Sequence, residues 1–339
     1  MNHRTLGAVG AVSEVGYGSW QIGSDWGDVS EEEAVEAVET ARDAGIDFFD
    51  TADVYGDGRS ERILGRVLED DIARGDVTVA TKAGRRLDPH VPAEYTEANL
   101  RRFVDRSREN LGAETLDLLQ LHCPPTDVYY RPETFDALDA LADENRIANY
   151  GVSVERVEEG LKALAYPDVE TVQIIFNPFR QRPAELFLDE AAARDVGVIC
   201  RVPLASGLLT GALSRDDAFP EDDHRNYNRE GDAFDVGETF AGVPYEAGLD
   251  AADALADRAD AVGDDPTRSA GDGLSLAQFA LRWILDHEAV STVIPGSTTP
   301  AHVRSNAAAS DRSSLSATDR AVVREVYDEH VREHVHQRW

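Results

Sequence analysis

Four residues carry the chemistry of this 339-residue sequence: Asp50, Tyr55, Lys82 and His122. A tyrosine hydroxyl gives up its proton only near pH 10 when unperturbed, so a phenol works as an acid near neutral pH when an ammonium stabilises its anion. Lys82 is placed to be that ammonium, and Asp50 to hold it by a charge-assisted hydrogen bond. His122 completes the set as a donor to a carbonyl oxygen, polarising and orienting it. A proton donor, its modulator and a polarising imidazole are what carbonyl reduction requires of a protein. Taken singly the residues say less, since a turn Asp is usually a cap, a strand-end Lys solvated and a His after Leu-Gln-Leu part of a core.

Spacing turns them into a set. Asp50 ends the strand-like run Phe48–Asp50 and Tyr55 follows in the loop; Lys82 follows Val77–Thr81; His122 follows Leu116–Leu121. Further strand-like runs at Val15–Gly18, Tyr150–Val154, Val172–Ile175, Val198–Val202 and Thr292–Pro295 bring the number to eight. Amphipathic segments separate them: Glu31–Ala44, Ser60–Leu68, Thr96–Leu111, Pro132–Ala142, Glu155–Leu164, Pro183–Asp195 and Leu274–Asp286. Alternation of this kind predicts parallel βα units, and eight close most economically as a (β/α)₈ TIM barrel of the α/β class. The open doubly wound sheet is the alternative, but the first strand is followed by no Gly-x-Gly-x-x-Gly turn. The sequence predicts one barrel domain over 1–339, with a C-terminal helix and tail from Ser316 to Trp339. An acidic, aromatic-dotted insertion at about 215–248 follows the seventh strand, where a lid or substrate loop over the C-terminal mouth is expected. A solvated insertion without ligand contact is the competing expectation.

The motifs Asp50-Thr-Ala-x-x-Tyr55-Gly, Thr81-Lys82 and Leu-Gln-Leu-His122-x-Pro resemble, in residues and in order, the aldo-keto reductase superfamily. That resemblance implies a (β/α)₈ barrel, an extended NADP(H) or NAD(H), and interconversion of an aldehyde, ketone or aldose with its alcohol or lactone, with Tyr55 as general acid and base. It implies carboxamide contacts for Ser153, in Gly151-Val-Ser153, and for Gln173. It implies pyrophosphate contacts from the loop Arg201-Val-Pro203-Leu204-Ala-Ser206-Gly207-Leu-Leu209. It gives the adenosine end to Gly296, Ser297, Thr298, His302, Arg304 and Asn306. Trp20, Tyr55 and His122 are the substrate-contact candidates, and no metal is expected. Four departures bear on the cofactor: Val154 replaces a common Asn, Arg201 a common Tyr or Ser, and Gly296 and His302 replace basic residues that grip a 2′-phosphate. Ser297 and Arg304 still offer such a grip, so NADP(H) is placed slightly ahead of NAD(H). Some barrels of the superfamily hold nucleotide with little turnover, and such a regulatory module is the alternative function. A metal-dependent barrel hydrolase is disfavoured, because His122 is the only histidine at a strand end.

Composition bounds the partners. The chain has 65 acidic against 33 basic residues, a net charge of −32 spread along its length, which argues against nucleic acid and anionic membranes, while the resemblance implies a small-molecule carbonyl or sugar substrate. No apolar run reaches membrane-spanning length and Met-Asn-His-Arg opens no hydrophobic signal core, so a cytoplasmic protein is expected. Oligomeric state is not legible. Cys123 and Cys200 follow apolar runs and are expected to be buried. Lysine occurs only at Lys82 and Lys162. An acidic, arginine-using surface points to a halophilic source, and it singles out Lys82 as a position where a compact ammonium is needed.

Overall fold

A computed structural model describes residues 1–23, 29–263 and 274–339. Strands β1 (His3–Thr5) and β2 (Ala11–Ser13) form an antiparallel hairpin with His3 opposite Ser13. Eight parallel strands follow and neighbour one another in chain order: β3 (Tyr17–Gly18), β4 (Phe48–Asp50), β5 (Thr78–Ala83), β6 (Leu116–His122), β7 (Ile147–Ser153), β8 (Val169–Ile175), β9 (Gly197–Arg201) and β10 (Val290–Val293). The sheet closes on itself. Val15 bridges Val293, the Gly16 amide donates to the Val293 carbonyl at 2.8 Å, and the Val293 amide donates to Glu14 at 3.0 Å. The chain is therefore the expected (β/α)₈ barrel.

Helices α1 (Glu31–Asp43), α2 (Arg59–Val67), α3 (Glu69–Arg74), α4 (Glu97–Leu111), α5 (Pro132–Asp143), α6 (Val157–Ala163) and α7 (Phe187–Ala192) connect the first seven barrel strands. The remainder are α8 (His224–Tyr227), α9 (Tyr245–Gly263), α10 (Leu276–Leu285), α11 (Pro300–Ala307), α12 (Ala317–Val326) and α13 (Arg332–Val335). Their starts follow local chemistry. Ser30 forms a capping box with Glu33, and Thr96 and Ser275 cap α4 and α10 through their hydroxyls. On α1, Ala34, Ala37, Val38 and Ala41 recur at helical spacing and are buried. The expected helix Pro183–Asp195 is a 3₁₀ turn at Arg182–Glu185 followed by the short α7. The stretch treated as insertion already enters α9 at Tyr245.

Alternation along the strands decides what faces the barrel axis. Phe48, Ala80, Leu118 and Ile199 pack together at its centre with Leu6 and Val12 of the hairpin and with Ile294. Two residues beyond each of the first three stand Asp50, Lys82 and Gln120, and one step further on β6 stands His122. Register makes tiers of them: Asp50 lies level with Ala80, Leu118 and Asn149; Lys82 with Gln120, Gly151 and Thr171; His122 with Ser153, Gln173 and Ile199. Polar groups thus rise toward the C-terminal mouth above an apolar floor. Gly151 is required by this packing, since a Cβ there would lie 2.1 Å from Thr171 Oγ1.

Candidate active site

Lys82 is buried to 1 % exposure at the end of β5 and bonded on every side. Its Nζ donates to Asp50 Oδ1 at 2.5 Å and to the Thr51 carbonyl at 2.8 Å, and stands 3.5 Å from the Tyr55 hydroxyl. The other Asp50 oxygen, Oδ2, accepts from Gln173 Nε2 at 2.7 Å and from Gln120 Nε2 at 3.2 Å. His122 presents its ring edge-on to Tyr55 with centroids 5.9 Å apart, and its Nδ1 is buried with no hydrogen-bond partner among the described residues. All four expected residues converge.

Electrostatics sharpen one expectation. Lys82 was expected to draw the Tyr55 phenol down toward neutral pH, yet the phenol sits well above its ordinary value. Burial is the main cause, Asp50 and Glu238 add to it, and Arg85 and Arg201 oppose it. The ammonium engages Asp50 and Thr51 closely and the phenol only at 3.5 Å. Lys82 itself is lowered by burial, with Asp50 pulling the other way, and His122 is pushed well below its usual range by burial and by Arg85, Lys82 and Arg201. At neutral pH the site holds a protonated phenol beside a neutral imidazole, which is the ionisation state a proton donor needs.

Two cavities meet at Tyr55. One, of about 420 Å³, runs from Asp50, Tyr55 and Gln173 past Arg201, Pro203, Leu204, Ser206 and Gly207 to Gly296, Ser297, Thr298 and His302. Ten of the expected cofactor residues line it; Ser153, Leu209, Arg304 and Asn306 do not. Ser153 lies beneath, its hydroxyl 3.4 Å from Gln173 Oε1, and Leu209 belongs to the core. The groove suits an extended dinucleotide. Gly207, at φ +104°, makes the left-handed turn there, and the far end meets the first turn of α11 behind Thr299. Sequence reasoning missed several lining residues: Ser19, Gln21, Val29, and Arg225 on α8. Asn177 is a local staple, donating to the Val202 carbonyl at 2.8 Å and accepting from the Phe179 amide at 2.8 Å.

The second cavity, of about 550 Å³, is lined by Trp20, Tyr55, Arg85, His90, Cys123, Glu155 and, from the insertion, Tyr227, Phe234, Asp235 and Glu238. The insertion thus reaches the mouth. Trp20 stacks 6.1 Å from Tyr55 and packs on His224 at 4.7 Å and Phe234 at 5.8 Å. Opposite the aromatics stands a charged group of four. Arg201 Nη2 donates to Glu155 at 2.9 Å and Nη1 lies 3.3 Å from Glu238, while Arg85 contacts Glu155 at 3.2 Å and bonds Glu238. Burial raises the Glu155 carboxyl; on Glu238 burial acts the same way, but Arg85 and Arg201 overcome it and hold that carboxyl low. Cys123, Glu155 and Glu238 offer ligand atoms within 4.8 Å of one another, but the positive charge at that place comes from the two guanidiniums. Cys123 is itself pushed up to about 12 by burial. Arg201, expected at the cofactor, is committed to this group as well as to the groove. Arg85 and Glu155 lie three residues past Lys82 and two past Ser153, a strand-end signal legible in principle; Glu238 has no such signal.

A closed parallel barrel with a phenol, an ammonium and a carboxylate in contact at its mouth, beside a long groove, defines a barrel oxidoreductase. The chain belongs to the aldo/keto reductase family, whose sequence model matches residues 14–328. It is 30% identical over 292 residues to the aldo-keto reductase YhdN of Bacillus subtilis, covering 85% of this chain and 82% of that protein. Among solved structures it is similar to the holo form of the aldo-keto reductase AKR11C1 from Bacillus halodurans, with a TM-score of 0.75, 25% identity and 99% of each chain covered. The glycerol dehydrogenase AKR11B4 from Gluconobacter oxydans also superposes with a TM-score of 0.75, at 28% identity over 97% of this chain and 96% of that one. Among the described residues no helix is long and apolar enough to cross a membrane.

Proposed function

We propose that this protein is a nicotinamide-dependent oxidoreductase that interconverts a hydroxylated aldehyde, ketone or aldose with its alcohol or lactone, using Tyr55 as general acid and base. The carrying observation is that Tyr55 and Trp20 line both cavities, so the phenol stands where a cofactor groove and a substrate cavity meet. The groove residues fit a nicotinamide dinucleotide, with Gln173 toward the ring end and Ser297, Thr298 and His302 toward the adenosine end. When bound, that cofactor supplies hydride to the carbonyl carbon.

The protein's part is the proton and the geometry. Tyr55 Oη–H donates to the carbonyl oxygen as it gains charge, and Lys82, anchored by Asp50, faces the phenolate that results. His122, neutral and beside Tyr55, orients the same oxygen. Trp20 and Phe234 offer flat apolar contact, and Arg85, Glu155 and Glu238 offer hydrogen bonds, a combination suited to hydroxylated substrates. The similarity to a glycerol dehydrogenase supports that reading. NADP(H) is favoured slightly over NAD(H), because Ser297 lines the groove's end and its hydroxyl can reach a 2′-phosphate there, and a cytoplasmic location accords with the chain's composition.

Steady-state rates with NADPH and NADH against a panel of aldehydes, ketones and aldoses test the proposal, with Tyr55→Phe as control. Loss of the phenol proton should lower kcat by about 10²–10⁴. Retention of full rate by Tyr55→Phe would refute the acid assignment. Tight NADPH binding without turnover of any carbonyl would identify a nucleotide-binding regulatory module instead.

A further inference from the structure

The segment Asp235–Gly242 of the insertion has two edges. One faces the substrate cavity through Asp235 and Glu238; the other is seated on Trp339, far away in sequence and 4 % exposed. The indole Nε1–H donates to Asp235 Oδ1 at 2.9 Å, and the same oxygen accepts the Gly237 amide at 2.7 Å. One carboxylate therefore ties the turn to the indole. The fit leaves no room for side chains: a Cβ on Gly237 would lie 2.8 Å from the indole, and one on Gly242 would lie 2.6 Å from it.

Trp339 is itself fixed from the barrel side. The Arg180 guanidinium, 2 % exposed, lies 3.9 Å from the indole centroid, and its two terminal nitrogens have no hydrogen-bond partner among the described residues. The buried cation stacks on the aromatic face, and its Nη2 also lies against the Gly237 turn, 2.6 Å from where a Cβ there would stand. Arg182 Nη1 donates to the Trp339 backbone oxygen at 2.7 Å. A chain of contacts thus runs from the β8 loop through Trp339 to Asp235, and three residues on to the Glu238 carboxylate that faces Arg85 and Arg201.

We infer that Trp339 is a positioning residue that sets substrate preference by holding Asp235–Glu238 as the acidic wall of the cavity. The inference rests on the reaction proposed above. With the indole in place, Glu238 offsets Arg85 and Arg201, and the cavity favours neutral hydroxylated carbonyls. Without it, the wall loosens, the two guanidiniums face Glu155 alone, and an anionic carbonyl gains relative to a neutral one.

The test uses the full chain with Trp339→Ala, Trp339→Phe and Asp235→Ala, the last removing the oxygen that the indole and the Gly237 amide share. Probes are DL-glyceraldehyde and 4-carboxybenzaldehyde with NADPH, together with hydrogen exchange at individual amides. For Trp339→Ala, exchange should rise at Asp235–Gly242 while β4–β6 keep their protection. The KM for glyceraldehyde should rise about tenfold or more with little change in kcat, as expected when an interaction common to ground and transition states is removed, and the KM for the carboxylated aldehyde should rise less. Trp339→Phe, which keeps the aromatic contact but loses the donor, should lie between. Unchanged exchange at Asp235–Gly242 overturns the inference, as does raised exchange with an unchanged preference between the two aldehydes. If Trp339→Ala does not fold, Trp339→Phe and Asp235→Ala decide by the same readouts. If the unmodified protein reduces neither aldehyde, a neutral and a carboxylated substrate from the panel above replace them; if it reduces no carbonyl at all, the proposed reaction fails, and the exchange arm alone decides whether Trp339 holds the wall.

Discussion

Lys82 Nζ lies 2.5 Å from Asp50 Oδ1 with both side chains almost wholly buried, and neither charge has water to fall back on. Removing one member of such a pair strands the other, at a cost of about 3–5 kcal/mol. Lys82→Met should therefore lose stability of that order as well as turnover. In the double variant Asp50→Asn, Lys82→Met the stranded carboxylate is gone, and the amides of Gln120 and Gln173 retain an oxygen to bond. Much of the stability should return and none of the activity. Urea denaturation of the single and double variants decides it: a double variant no more stable than Lys82→Met would show that the pair's charge is not what the fold feels.

His122 gives a pH prediction whose sign is fixed by its depressed pKa. Unfolded, the imidazole takes a proton near pH 6.5; folded, burial and the neighbouring cations keep it neutral to well below that. The unfolded state then binds more protons as pH falls, so this contribution to stability is present above about pH 6.5 and is lost below it. His224 and His287 are depressed as well and act in the same direction. The His122 share is therefore a difference: His122→Gln should flatten the fall in unfolding free energy between neutral and mildly acidic pH by up to about 1.4 kcal/mol per pH unit. Equal slopes in the two proteins would mean that His122 is charged in the fold.

The phenol titrates in the opposite sense. Because burial holds Tyr55 above its ordinary value, the free protein keeps its proton donor as pH rises through about 10. The kcat/KM for carbonyl reduction should show no basic limb below that pH. A limb near neutrality that vanishes in Tyr55→Phe would show that the Lys82 contact at 3.5 Å is strong enough in solution to overcome burial.

The tetrad was legible because alternation of period two and register both follow from sequence: once Phe48, Ala80 and Leu118 are taken as inward, Asp50, Lys82 and His122 must be inward too. The same rule would have yielded Gln120, which stands two residues before His122 and bonds Asp50. What sequence could not supply depends on long-range closure. Glu238, His224 and Phe234 come from an insertion without periodicity, and only the folded path sets them against Arg85 and Trp20. α9 was hidden for a different reason, since its buried stripe of Leu249, Ala252, Leu255 and Ala259 is half alanine and lies in an acidic, alanine-rich run. The hairpin β1–β2 is too short to show alternation, though it floors the barrel.

Arg225 is the groove residue on which the insertion and the proposed cofactor site meet. Its guanidinium is oriented by Asp223, with Nη2 at 2.6 Å, and lies over Phe219 at 4.4 Å, beside Gly207. A guanidinium held there adds a charge-assisted contact to a pyrophosphate. Arg225→Ala should weaken NADPH binding about tenfold, or about 1.4 kcal/mol, with little change in kcat at saturating cofactor. Fluorescence titration with NADPH reads this directly. An unchanged Kd would place the pyrophosphate away from α8 and leave Arg225 as an internal brace of the insertion.

Net charge makes the last prediction. At −32 the folded chain repels itself, and among its surface ion pairs many are exposed arginine–carboxylate contacts of small individual value, such as Arg66 with Glu31 and Arg74 with Asp76. Salt acts on the two effects oppositely. It screens the favourable pairs, but these are short, whereas the repulsion is summed over the whole surface and is cut sharply once the Debye length falls to about 3 Å at 1 M. Repulsion should therefore lose more. The thermal midpoint should rise with KCl by about 5 °C or more between low and molar salt, equivalent to roughly 3.5 kcal/mol for a chain of this size. KCl is the appropriate salt, because a sulfate would strengthen apolar burial in any protein. A midpoint that is flat or falls with KCl would mean that the acidic surface is not destabilising at low ionic strength, and would remove the physical ground for a salt-adapted origin.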